Sequence, residues 1–139
     1  SLWKWKADSM ECTFEDPLPP PPYPLTEGKK WTYKSKYTLV ENGRKYNGSI
    51  SGKEAVEGFE IITAENDEKY LCAKVRLVIT DCLIINGRNM TTMTDGYYWI
   101  SSDAGIVKEE AIIKYYMNGS LVMKQRRTLI LLSIEKGQD

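Results

Sequence analysis

The sequence contains no histidine, and this absence removes several kinds of chemistry. Without histidine there is no Ser-His or Cys-His nucleophile pair, no ordinary general base that titrates near neutral pH, and no imidazole metal ligand. The chain also lacks any run of about 18 apolar residues, so we predict no membrane-spanning segment. The three cysteines are an odd number, so they cannot form a closed set of disulfides.

The spacing of the cysteines argues further against a disulfide. Cys72 and Cys82 fall in one extended segment, where about ten residues at roughly 3.3 Å each would hold them roughly 33 Å apart. A disulfide needs Cα atoms within about 7 Å. We therefore predict free, buried thiols at these two positions and a free Cys12 near the N-terminus.

The charge balance excludes one class of partner. The chain has 19 basic and 19 acidic side chains, so it has no overall field that would attract a polyanion. A basic run at residues 124–127 lies within a predicted strand, divides between two faces and lacks interleaved aromatic residues. We predict no nucleic-acid partner.

Candidate catalytic acids are few. Tyr97, Tyr98 and Trp99 form an aromatic cluster in the sequence. The only carboxylates near it are Asp103, Glu109 and Glu110, and a carboxylate pair could act as acid and base. Adjacent residues of a strand point to opposite faces, however, so Glu109 and Glu110 cannot share a site. No acidic segment has the spacing of a calcium loop. We predict a protein that is not an enzyme, with no catalytic residues, no metal site and no cofactor.

The prolines divide the chain. All six fall between Pro17 and Pro24, and such a run favours polyproline II, because proline fixes φ and removes a hydrogen-bond donor. We predict a proline-rich leader or linker at residues 1–22 and a single β domain at residues 23–136. The length of 139 residues suits one domain.

From Trp31 onward, apolar and polar residues alternate with a period of two, which is typical of half-buried strands. Asn-Gly pairs at 42–43, 86–87 and 118–119 are typical of tight hairpins. The sequence predicts an all-β fold: an antiparallel meander of about eight strands, curled into a half-barrel or a small barrel or sandwich, with little or no helix.

Local patterns add finer expectations. Residues 53–58 could form one helical turn. The alternation of apolar and polar residues breaks at Asp81, which predicts a bulge or bend there. The pair Asp95-Gly96 predicts a turn. The alternate strand positions that should face inward predict one common core, which contains Leu71, Val75, Leu77, Val107, Ile113, Leu129 and Leu131.

Aromatic residues supply the candidate binding site. Nine tyrosines and four tryptophans accompany only two phenylalanines, and Tyr and Trp suit binding surfaces because each combines an apolar face with a polar tip. Tyr98 should point away from Tyr97 and Trp99, so that one face is core and the other offers an aromatic rim. The candidate binding residues are Trp31, Tyr33, Tyr97, Tyr98 and Trp99. The alternative is that these rings are simply packed in the core.

Two stretches carry a resemblance. Residues 23–33 (YPLTEGKKWTY) are similar to the Y-P-L-x-x-G-x-x-W-x-Y opening of a family of bacterial secreted proteins and lipoproteins without an assigned activity. Residues 98–108 (YWISSDAGIVK) resemble that family's later aromatic-W-x-x-x-x-G-I-V-K element, and the similarity spans roughly residues 23–134. It implies a curved antiparallel sheet or half-barrel, an extracytoplasmic location, and no catalytic residues.

Together these observations predict a non-catalytic β domain of the bacterial cell envelope that binds an apolar ligand, a glycan or an envelope protein. The alternative is a structural protein of the envelope that assembles with copies of itself, a homo-oligomer that packs through its leader and its sheet edges.

Overall fold

The computed structural model describes the backbone of residues 2–130 and the side chains of residues 4–130. In this range the chain forms one eight-stranded antiparallel sheet, in which each strand pairs with its neighbours in sequence. The predicted all-β meander, curled into a half-barrel, is confirmed, and the described residues contain no helix. The strands are β1 (Leu2–Ala7), β2 (Met10–Leu18), β3 (Lys30–Glu41), β4 (Arg44–Thr63), β5 (Lys69–Ile85), β6 (Arg88–Ser101), β7 (Gly105–Met117) and β8 (Ser120–Ile130).

The three predicted Asn-Gly turns are confirmed. They join β3 to β4, β5 to β6 and β7 to β8. In each turn both residues have a positive φ, for example 49° at Asn42 and 78° at Gly43. This is the type I′ geometry, whose twist matches that of the two flanking strands.

The predicted leader is the first correction. Residues 2–7 and 10–18 are not a separate leader but form β1 and β2, and β2 pairs with β3 from Met10 to Phe14. Cys12 and Phe14 are buried against Tyr37 and Leu39. Residues 10–15, before the prolines, alternate between apolar and polar, which is typical of a half-buried strand. The polyproline II preference of the proline run does not apply to these residues. Residues 19–29 then lead from β2 to β3.

Strand β4 is longer than the sequence predicts. The helical turn expected at residues 53–58 is wrong, because β4 runs unbroken from Arg44 to Thr63 with a register shift between Val56 and Gly58. The extra residue, Glu57, is accommodated as a bulge. The bulge expected at Asp81 is also wrong, since β5 pairs with both neighbours in constant register through that position.

The turn expected at Asp95-Gly96 is also wrong, because both residues lie inside β6. Gly96 pairs with Leu77 on one side and Ala111 on the other. A Cβ atom at Gly96 would lie 2.1 Å from the backbone oxygen of Glu110. Glycine at this position therefore permits a close approach of β6 and β7.

Cross-strand pairing assigns the side chains to two faces. Val56, Val75 and Tyr98 are opposite one another in β4, β5 and β6, and we name their side the Val75 face. Trp99 is opposite Lys74, which points to the other side of the sheet from Val75, together with Cys72. We name this side the Trp99 face. No second sheet or helix covers either face in the described part of the chain.

The predicted single core is wrong in part. Val75 and Val107 are buried as predicted, but they belong to two different clusters, one on each face. Leu77 and Ile113 are half-buried, whereas Leu71 and Leu129 are 66% and 52% exposed. Leu131 lies outside the described residues. A residue at an inward-facing strand position is not necessarily buried in this sheet, because no second layer packs over the strand ends in the described part of the chain.

Candidate functional site

The five aromatic residues predicted as a binding rim do not form one site. Trp31, Tyr33 and Tyr98 lie on the Val75 face, whereas Tyr97 and Trp99 lie on the Trp99 face. The opposite directions predicted for Tyr98 and its two neighbours are confirmed by the pairing of β5 with β6.

The tyrosines of the Val75 face are held by packing and by carboxylates. A Cβ atom at Gly52 would lie 2.2 Å from the Tyr33 ring, so the ring covers this glycine. Tyr98 is 7% exposed and donates its hydroxyl hydrogen bond to Glu54. Burial raises the pKa of both tyrosines, and Glu54 raises it further. Trp31 packs against the same cluster.

A second tyrosine on this face repeats the arrangement. The Tyr37 ring covers Gly48, and its hydroxyl donates to Asp81 on β5 at 2.5 Å. Burial raises the pKa of the Asp81 carboxyl, and the Tyr37 hydrogen bond opposes that rise only in part. These contacts tie β3 to β5 across β4, which gives the rings a structural role.

On the Trp99 face, aromatic rings and cations alternate in a ladder. The Lys74 ammonium lies 4.6 Å from the centre of the Tyr97 ring and 5.6 Å from that of Trp99. Lys108 lies 4.6 Å from the Trp99 ring centre, and Arg76 lies 5.2 Å from that of Tyr97. Trp99 is 3% exposed. Its ring is therefore packed rather than available to a ligand.

Beside this ladder, a groove of about 580 Å³ runs along the Trp99 face over β5 to β8. Its apolar lining comes from β5, β6 and β7 and includes Val78, Met93, Ile112 and Tyr116, whereas β8 contributes polar and charged residues. Its charged lining is Arg76, Asp95, Glu110, Lys114, Lys124, Arg126 and Arg127. The cross-strand register places the Arg127 side chain on the opposite face, where it pairs with Glu109 at 3.8 Å.

The two acids of the groove are already engaged. Asp95 accepts from Arg76 at 2.5 Å, and Glu110 pairs with Lys108 at 3.2 Å. Within residues 4–130, no carboxylate lies within 4.0 Å of the charged groups of Lys114, Lys124 or Arg126.

Two of these cations oppose one another. Lys114 of β7 and Lys124 of β8 are direct cross-strand partners, and Arg126 is the partner of Ile112 on the same face. Like charges directly opposite in a sheet are destabilising. The groove thus combines an apolar floor with positive charge that no carboxylate of residues 4–130 pairs with at Lys114, Lys124 and Arg126.

The remaining candidate residues do not form a reactive cluster. Glu109 is opposite Tyr98 and Glu110 is opposite Tyr97, so they lie on opposite faces, each in its own ion pair. The described part of the chain holds no group of three or more His, Cys, Asp or Glu side chains suited to a metal ion. None of the described segments is a helix able to cross a membrane. Burial raises the pKa of the free Cys12 and Cys72 thiols, which makes both poor nucleophiles at neutral pH.

Sequence reasoning missed the groove. The sequence predicts that the basic run at 124–127 divides between two faces, and β8 divides it in this way. This division places Lys124 and Arg126 together on the Trp99 face. The signal was the shared parity of Ile112, Lys114 and Tyr116, which becomes informative only with the β7–β8 register. Comparison of the chain with protein-family models, with curated proteins and with solved structures finds no match.

Proposed function

We propose that this protein is a non-catalytic binding domain whose groove on the Trp99 face takes an amphiphilic anion, an unbranched apolar chain that ends in a carboxylate. The observation that carries this proposal is the direct pairing of Lys114 with Lys124, with Arg126 alongside, above an apolar floor. An anionic head between the two ammonium groups would remove their mutual repulsion and form charge-assisted hydrogen bonds.

The shape and lining of the groove favour this class of ligand. Its volume of about 580 Å³ lies within the range of about 300–1,000 Å³ that small-molecule sites occupy. A wholly apolar ligand would supply no counter-charge to the three cations, which have no carboxylate partner among residues 4–130. A neutral glycan would likewise bring no negative charge to Lys114, Lys124 and Arg126. The location outside the cytoplasm that the resemblance implies stays a prediction.

The proposal is tested by calorimetric titration with laurate below its micelle concentration. We expect saturable binding of laurate, and no comparable binding of dodecyltrimethylammonium, which has the same chain and the opposite charge. The double variant Lys124→Gln/Arg126→Gln should bind laurate about tenfold more weakly or worse, because a hydrogen bond to a charged group contributes about 1.5–3 kcal/mol.

The matched control is Arg88→Gln, which removes an exposed positive charge from β6 at a position outside the groove lining. It should leave laurate affinity within about twofold of wild type, since exposed charges outside the site contribute little. Equal binding of the two amphiphiles, or an equal loss in the double variant and the control, would contradict the proposal.

A further inference from the structure

Among the strands of residues 2–130, β8 forms one edge of the sheet and pairs only with β7. Its side chains are exposed at every position except Ile130, which is half-buried. Exposed large apolar residues are concentrated here: Leu121, Val122, Met123 and Leu129 are each between 52% and 61% exposed. Alternate backbone N–H and C=O groups along such an edge have no partner strand.

The charge of this edge restricts what can pair with it. Strand β8 carries Lys124, Arg126 and Arg127 and no acidic residue. The opposite edge strand, β1, carries Lys4 and Lys6 and also no acidic residue. Pairing of two copies through β8, or of β8 with β1 of another copy, would bring like charges together, and lysine at edges is a known device against such association. The positive charge of both edge strands disfavours the predicted self-assembly through sheet edges.

The β7–β8 register fixes where the regular part of the β8 edge begins. The β7–β8 register shifts between Tyr115 and Tyr116, which leaves Val122 as an extra residue in β8. Such a bulge bends the strand and interrupts regular pairing. Regular edge backbone therefore begins at Met123 and continues to Ile130, the last described residue, and its first seven residues, 123–129, alternate between the two faces.

We propose that residues 123–129 of β8 are a docking strand for an extended acidic segment of a partner protein, which adds a ninth, antiparallel strand to the sheet. Backbone hydrogen bonds supply affinity in this mode of recognition, and cross-strand side chains supply specificity. Acidic residues opposite Lys124, Arg126 and Arg127, with apolar residues opposite Met123 and Leu129, give the complementary pattern. Read antiparallel to β8, this pattern is Val-Thr-Glu-Glu-Thr-Glu-Val.

This inference does not depend on the groove proposal. A strand at the edge needs the outer backbone of β8, whereas an amphiphile in the groove needs the floor formed by Val78, Met93 and Ile112. Laurate binding without peptide binding would reject only the docking strand, and peptide binding without laurate binding would reject only the groove ligand.

The test is a titration of the wild-type protein with a peptide that contains Val-Thr-Glu-Glu-Thr-Glu-Val, followed by backbone amide signals in NMR spectra and by hydrogen exchange. We expect saturable binding and slower exchange at alternate residues of β8. The same peptide with Gln in place of each Glu should bind about tenfold more weakly or worse. Its N-methylated forms provide the backbone control: methylation of one alternate set of amides should abolish binding, and methylation of the other set should preserve it.

A charge exchange guards against a misfolded variant. The triple variant Lys124→Glu/Arg126→Glu/Arg127→Glu should lose the acidic peptide and gain a Val-Thr-Lys-Lys-Thr-Lys-Val peptide, with slower amide exchange at alternate residues of β8, which an unfolded chain cannot show. The inference is overturned by equal affinity for the Glu and Gln peptides, by equal effects of the two N-methylated sets, or by protection outside β8. Binding to phosphatidylglycerol vesicles with no binding of the acidic peptide would also overturn it, in favour of a membrane surface.

Discussion

Position along a strand, rather than residue type, decides how much a side chain contributes to stability in this sheet. Val75 is 0% exposed and packs with Val56, Ala73 and Tyr98. Leu71 lies on the same strand and the same face, four residues earlier, and is 66% exposed. Both have the parity of a core residue, but only Val75 has neighbours over it.

Truncation of these two residues should give different losses. Val75→Ala should lower the free energy of unfolding by about 1.5–3 kcal/mol, the usual gain from burying such a side chain. Leu71→Ala should change it by about 0.5 kcal/mol or less, although it removes more atoms. Urea denaturation of both variants checks this. A larger loss for Leu71→Ala would mean that the burial pattern of β5 is wrong.

Asp81 is the residue at which pH should act on stability. Burial raises its pKa above the ordinary value of 3.8, so the folded protein holds this proton more tightly than the unfolded chain. The stabilising contribution is therefore full below about pH 3.8 and is lost as the pH rises through the folded-state pKa. The neutral variant Asp81→Asn can still accept the Tyr37 hydrogen bond and does not titrate.

We expect the stability of Asp81→Asn relative to wild type to increase from pH 3 to pH 7. Urea denaturation midpoints of both proteins across this range measure the difference. Asp67→Asn, at an exposed turn, removes the same charge without removing a buried acid and serves as the control. A stability difference that is independent of pH, or one that reverses in sign, would reject a raised pKa at Asp81.

At the scale of strands, the close approach of β6 and β7 depends on Gly96. A Cβ atom there would meet the Glu110 oxygen at 2.1 Å and the Ala111 Cα at 2.6 Å, and both are backbone atoms that cannot rotate away. By contrast, a Cβ at Gly58 would have no atom within 4 Å.

Gly96→Ala should therefore destabilise the protein by about 1–3 kcal/mol or more, the usual cost of overpacking. Gly58→Ala should change stability by about 0.5 kcal/mol or less. Thermal and urea denaturation of the two variants provide the comparison. Equal stability of both with wild type would contradict the strand separation described at Gly96.

The strands also show how far sequence reasoning reaches. Alternation and Asn-Gly turns predict the meander and most of its strands, because period and turn chemistry are local properties. Residues 53–58 are locally compatible with a helical turn, and only pairing on both sides makes them part of β4. The burial of Leu71 or Leu129 depends on a covering layer, and the groove depends on the β7–β8 register. Neither is encoded in any single segment.

At the scale of the whole molecule, most of the exposed large apolar side chains of the described sheet lie in two regions. One is the far end of the β4–β5 hairpin, with Phe59, Ile61 and Leu71, and the other is β8. In the second region these side chains are accompanied by Lys124, Arg126 and Arg127 of β8, where the groove and the edge of the described sheet meet. This coincidence makes the β7–β8 corner the part of the molecule best suited to a ligand with negative charge and apolar surface.

The most direct test of the groove is to locate bound laurate by isotope-filtered nuclear Overhauser contacts. Ile112 and Ile113 are adjacent in β7 and lie on opposite faces, opposite Asp95 and Thr94 respectively. We predict contacts from the laurate chain to the side chains of Ile112 and Met93, and none to Ile113 or Leu77. Contacts to Ile113 and Leu77, with none to Ile112 and Met93, would place the ligand on the Val75 face and contradict the proposed function.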